Sequence, residues 1–156
     1  MSLEKVQEAL KGTELESEII VLEQSSATVQ LAAEALHCEP DHIAKTLSFM
    51  VDEKPILIVV SGESKVDNKK FKDQFHTKAK MIAFDQVEEL VGHAPGGVCP
   101  FADNKDVIVY LDQSLKKYDI VYPAAGSGNS AVKTTISQLE KYSDFAEWVD
   151  VCKEIC

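Results

Sequence analysis

The 156-residue chain contains no arginine; all 16 of its basic residues are lysine. Arginine is the planar fork that grips phosphates and base edges. Any phosphate contact here must therefore use lysine ammonium groups, backbone N–H groups or hydroxyls. Positive charge is also scarce overall. The 26 Asp and Glu residues leave a net charge of −10, which excludes bulk DNA binding, since that runs on neutralised phosphates. No uncharged apolar run approaches the roughly 18 residues of a membrane span. The stretch Ile56-Leu57-Ile58-Val59-Val60 is only strand length. The start, Met1-Ser2-Leu3-Glu4, has neither a basic n-region nor an apolar h-region, so no signal peptide is expected. Cysteine is sparse. Cys38, Cys99, Cys152 and Cys156 form no C-x-x-C pair, so free, structural thiols in a reducing cytoplasm are expected. His37, His42, His76 and His93 offer no H-E-x-x-H and no paired Cys/His spacing, so no metal site is expected.

What is present is an ordinary globular balance, 45% hydrophobic and 27% charged, at a length that suits one domain over residues 1–156. Helices are expected over Ser2 to Lys11, after Ser25-Ser26, over Asp67 to Phe75, and after an Asp85 cap up to Gly92. The pair Ser137-x-x-Glu140 has the spacing of a capping box for a last helix. Strands are expected at Glu18 to Leu22, Thr46 to Val51, Ile56 to Val60, Met81 to Ala83, Val107 to Leu111, Ile120 to Tyr122, Val132 to Ile136 and Ala146 to Val151, with a turn at Asp52-Glu53-Lys54. Short links imply antiparallel neighbours. The fold class is α+β (mixed α/β): a single domain with a central, mostly antiparallel sheet flanked by helices.

Two loops and one lysine carry chemistry. Gly126-Ser127-Gly128-Asn129-Ser130-Ala131 matches G-x-G-x-x-A, but the strand-like run Val132 to Ile136 follows where a dinucleotide site needs a helix. No nucleotide cofactor is expected. The segment reads as a turn, or as a loop edging a pocket with Ser127, Asn129 and Ser130 as hydrogen-bonding groups. Gly92 to Phe101 is denser in Gly and Pro than a plain connection needs, and Gly96-Gly97 lets backbone N–H groups approach a carbonyl oxygen. His93 and Cys99 share that loop, but the spacing supplies no third group to orient a Cys–His pair. Lys45 enters a strand that otherwise carries Leu47, Phe49 and Val51. It is either an edge lysine reaching water or a cation aimed into a pocket. Lys65, Lys69, Lys70, Lys72, Lys78 and Lys80 concentrate positive charge between residues 61 and 80, as a solvated helix face or as a polyanion contact.

Three stretches, His42-Ile43-Ala44-Lys45-Thr46-Leu47, Ser61-Gly62-Glu63-Ser64-Lys65-Val66-Asp67 and the Gly92 to Phe101 loop, together resemble the YbaK/prolyl-tRNA synthetase editing-domain family. The resemblance runs from about Ser25 to Val151. It implies a strongly curved sheet and a stand-alone, trans-acting aminoacyl-tRNA deacylase. That enzyme would hydrolyse the ester of a mischarged, tRNA(Pro)-related tRNA bearing a residue of Ala, Ser or Cys size. It implies Lys45 as the pocket lysine, and Gly96, Gly97 and Val98 on the substrate-facing loop beside Thr46. Gly126 to Ser130, including Gly128, would form a second pocket loop. His93 and Cys99 would tune the pocket. Lys65, Lys69, Lys70 and Lys72 would meet the acceptor end of the tRNA, with no DNA or membrane partner. Association with a synthetase or elongation factor fits the same picture. The alternative reading is a non-catalytic module that binds a nucleotide or tRNA end.

Overall fold

The computed structural model describes residues 2–154; Met1 and Cys156 lie outside them. The chain opens on helix α1 (Ser2–Ala9), which buries Val6 and precedes the turn at Gly12. Strand β1 (Ile19–Val21) and helix α2 (Val29–Leu36) follow. The α2 cap is Thr28, whose side chain accepts from Leu31 N–H, rather than Ser25 or Ser26. The long hairpin β2 (Ile43–Val51) and β3 (Lys54–Ser61) turns on Asp52-Glu53, both at positive φ, so Lys54 already belongs to the strand. Strand β4 (Ser64–Val66) leads into helix α3 (Asn68–Phe75), capped by Asp67.

Residues 81–83 do not form a strand. Met81 makes one isolated bridge to Phe49, and the chain passes through a short 3-10 turn at Phe84–Gln86 into helix α4 (Val87–Val91). Asp85 therefore sits inside the turn and Gln86 takes the cap position, while Gly92 stops the helix at positive φ as expected. The rest is β5 (Ile108–Asp112), β6 (Ile120–Pro123), β7 (Ser130–Val132), β8 (Thr134–Thr135), helix α5 (Ile136–Tyr142), β9 (Glu147–Val149) and β10 (Cys152–Glu154).

The curved central sheet runs β8-β6-β2-β3-β5-β9. β2–β3 and β6–β8 are antiparallel; β2–β6, β3–β5 and β5–β9 are parallel. The outer pairs β1–β7 and β4–β10 are antiparallel, which makes antiparallel ladders the majority among the described residues, though not within the central sheet. The short link from β5 to β6 misleads in one respect. A 3-10 turn at Gln113–Lys117 carries the chain away, so β6 joins β2 on the far side of the hairpin. β3 is buried along nearly its full length because apolar residues cover both faces. Leu57 and Val59 pack with Phe101, Leu111 and Leu139 on one side, and Ile56, Ile58 and Val60 with Phe71 and Val151 on the other. Among the described residues no helix is long and apolar enough to cross a membrane.

Candidate active site

The outer edge of β2 is paired at both ends and open in the middle. At one end Ile43 and Ala44 pair with Tyr122 and Pro123 of β6. At the other, Ile82 N–H donates to the Ser48 carbonyl at 3.1 Å and Met50 N–H to the Lys80 carbonyl at 2.9 Å. Between them Lys45, Thr46 and Leu47 meet no strand on that edge among the described residues. A cavity of about 400 Å³ fills the opening. Because it interrupts the sheet, both faces of β2 reach it: Ile43 and Lys45 from one, Ala44, Thr46 and Ser48 from the other.

Lys45 is half-buried, and no carboxylate pairs with its ammonium among the described residues. Burial, aided by the nearby Lys65 charge, holds it below the usual lysine range, against the opposing pull of Cys152 and Asp41. Among the described residues Thr46 Oγ1 is buried without a hydrogen-bond partner, as is Ser26 Oγ across the cavity wall.

The glycine loop supplies another wall. Ala94-Pro95-Gly96-Gly97 is a β-turn in which Gly97 N–H donates to the Ala94 carbonyl at 3.0 Å and Gly96 stands at φ 92°. Pro then Gly at the two central positions is the type II signature. Gly96 and Val98 line the cavity. Gly97 does not, and its N–H is spent within the turn, so an oxyanion donor from this loop falls to Gly96 rather than Gly97. The role of Gly97 is closeness: a Cβ there would stand 2.6 Å from the Gly126 carbonyl carbon and the Ser127 nitrogen. The two loops touch at that point.

His93 and Cys99 are also placed otherwise than expected. Both are fully buried beneath the loop and neither lines the cavity. His93 Nε2 lies 2.7 Å from the Phe101 carbonyl oxygen, 3.4 Å from Asp103 Oδ1 and 3.6 Å from Cys99 Sγ. Burial alone would lower its pKa, but Asp103, Cys99 and the Phe101 carbonyl raise it to about 10. Burial pushes the Cys99 thiol up, which leaves a poor nucleophile. The cluster closes the base of the loop.

In the second loop only Ser130 lines the cavity. Ser127 Oγ lies 2.6 Å from Ser130 Oγ and donates to Asn129 Oδ1 at 2.8 Å, while Asn129 Nδ2 donates to the Leu22 carbonyl at 3.0 Å. Ser26 N–H donates to the Gly128 carbonyl at 2.7 Å. Gly128 and Asn129 thus bind the loop to the segment before α2, while Ser127 braces the loop from within, and that segment brings Ser26, Ala27 and Thr28 into the cavity wall. Sequence reasoning missed these three, together with Ser48, Met81, Phe84 and Tyr122. A small polar residue at 48 in an apolar strand was the one available signal.

Lys65, Lys69, Lys70 and Lys72 stand apart from the cavity lining. Lys65, Lys69 and Lys72 are exposed, and Lys65 faces Lys153 across the β4–β10 ladder. Lys70 is tied to Asp150 at 3.1 Å and to the Cys152 carbonyl at 3.0 Å.

A model of the aminoacyl-tRNA editing domain matches residues 23–142. The chain is 44% identical over 155 residues to the uncharacterized protein YwhH of Bacillus subtilis, covering 99% of both. It is 27% identical over 128 residues to the proline–tRNA ligase of the same organism, and the match takes up 22% of that longer protein. A crystal structure described as a candidate trans-editing enzyme for prolyl-tRNA synthetase superposes with a TM-score of 0.86 at 28% identity, over 97% of each chain. With the cavity, its lysine and its glycine turn in the order the motifs require, the chain belongs to the aminoacyl-tRNA editing domain family.

Proposed function

We propose that this protein is an aminoacyl-tRNA deacylase that acts in trans on a mischarged, tRNA(Pro)-related tRNA carrying a residue of Ala, Ser or Cys size. The observation that carries this reading is the break in the sheet at Lys45–Leu47, which among the described residues sets an unpaired ammonium, a free strand edge and the Gly96 turn around one cavity. An aminoacyl ester is already activated, so water attack needs electrostatic help rather than a strong base. The Lys45 ammonium would hold the ester or phosphate oxygens. Gly96 N–H would donate to the developing oxyanion, an interaction worth roughly 3–4 kcal/mol in enzymes where it has been removed. The ribose hydroxyl of the substrate would position the water. Of about 400 Å³, the ribose ester takes a large share, and the apolar wall of Ala32, Ile43, Ile82 and Val98 closes around what remains. Selection would then act by excluding larger side chains, because single-methylene discrimination is worth only about 1–3 kcal/mol.

The test is deacylation of a panel of mischarged tRNAs by the purified protein. Turnover confined to small residues, and abolished in Lys45→Ala, is the expected result. Saturable binding without turnover across the panel would make it a binding module.

A further inference from the structure

The two most exposed large hydrophobic side chains among the described residues are Phe84, 79% exposed, and Met81, 60% exposed. Both stand at the cavity. Neither packs into the three apolar clusters of the core. Val21, Leu31 and Ile120, the other exposed large hydrophobics among the described residues, are not part of its lining. Leaving an aromatic ring in water forgoes the gain that burial would bring, so the position of this pair at one opening calls for an occupant.

The pair is also firmly held. Met81 sits between two backbone hydrogen bonds to β2, from Met50 N–H to the Lys80 carbonyl and from Ile82 N–H to the Ser48 carbonyl. Phe84 starts a turn closed by Gln86 N–H on the Ala83 carbonyl at 2.8 Å. Lys78 and Lys80, both exposed, immediately precede the ledge in the chain. An apolar ledge with cations on its approach suits a flat ring attached to a phosphate.

We infer that Phe84 and Met81 form a stacking ledge for the terminal nucleobase of the substrate RNA, with Lys78 and Lys80 toward its 5′ phosphate. The inference rests on the deacylase reading, because the covalent geometry of that substrate supplies the occupant. The ester and the base hang from the same ribose. With the ester between Lys45, Thr46 and Gly96, the base emerges one sugar ring away, at the mouth. Stacking reads a π-face and not a sequence, which needs none of the arginines this chain lacks.

The experiment compares two RNA hairpins by fluorescence anisotropy, one ending in unpaired CCA and one with an abasic terminal ribose. Wild type should bind the intact end roughly 5- to 150-fold more tightly, the range for one stacked base. Phe84→Ala should bind both as wild type binds the abasic one, and Phe84→Trp should restore the preference. Unchanged affinity for the abasic hairpin shows that the variants are folded. Equal affinity of wild type for both hairpins, or full discrimination by Phe84→Ala, would overturn the ledge. Deacylation of mischarged tRNA is followed in parallel. Turnover without base discrimination sinks the ledge alone, and base discrimination without turnover sinks the deacylase alone.

Discussion

Lys45 and His93 show how differently two unusual residues announce themselves. Lys45 was legible because a cation breaks an otherwise apolar strand, and the structure leaves it half-buried and unpaired among the described residues. Lys45→Ala should cut turnover at least a hundredfold, about 2.7 kcal/mol, at little cost in the thermal melt, since removing an unpaired buried cation relieves desolvation. Lys45→Arg should also be poor, because a planar fork does not replace a compact ammonium. As burial holds its pKa down, the pH–rate profile should fall on the alkaline side before an ordinary lysine would titrate. His93 reads in the sequence as a loop residue that, with Cys99, tunes the pocket. Its partner Asp103 lies ten residues on, outside the motif, and packing alone brings the two together. With its pKa raised from 6.5 to about 10, the stability His93 contributes is complete below pH 6.5 and is lost as pH rises toward 10. Burial raises Asp103 too, so its contribution also falls as pH rises. Urea titrations should show wild-type stability declining through that window, and a His93→Gln variant should flatten the decline. His93→Ala should cost about 3–5 kcal/mol by leaving a buried carboxylate alone.

At the scale of elements, the glycine turn was legible from composition, whereas its internal bonding was not. Two adjacent glycines look interchangeable in sequence, yet one lines the cavity and the other lies against the second loop. Gly97→Ala should therefore push the loops apart, lowering kcat/KM at least tenfold with a smaller change in the melt, measured side by side. Helix α5 teaches a similar lesson. Both Thr135-x-x-Gln138 and Ser137-x-x-Glu140 satisfy the capping-box spacing. Pairing of β8 with β6 fixes Thr135 at the start, where Gln138 N–H donates to its Oγ1 at 3.1 Å and Thr135 N–H to Gln138 Oε1 at 3.0 Å. The segment 81–83 had strand composition, but its pairing with β2 is one hydrogen bond from Ile82, beside one to the preceding Lys80, and ends where the cavity begins. Long-range pairing decided each case, and local periodicity does not encode it.

Over the whole molecule, the acidic surface leaves the exposed lysines around α3 as a local cationic patch. Lys70 is already engaged by Asp150. Replacing Lys65, Lys69 and Lys72 with Gln should therefore weaken RNA binding and reduce its log–log salt dependence by roughly 0.7–0.9 for each phosphate that is no longer neutralised. An unchanged slope in a salt titration would mean the patch meets only solvent. The fold class was legible in the alternation of strands and helices. The strand order was not, because pairing such as β6 with β2 joins segments far apart in the chain. The open stretch of β2 has one more consequence, in isotope exchange. Eight register pairs to β3 hold the strand rigid, and alternation turns the backbone groups of Ala44, Thr46, Ser48 and Met50 toward the outer edge. The Met50 amide is bonded there to Lys80, whereas the Thr46 and Ser48 amides meet no backbone partner on that edge among the described residues, and both residues line the cavity. A deuterium-exchange map should therefore show two fast amides, Thr46 and Ser48, inside one of the slowest strands of the protein. Those amides should slow when the cavity is filled, reporting occupancy without any turnover.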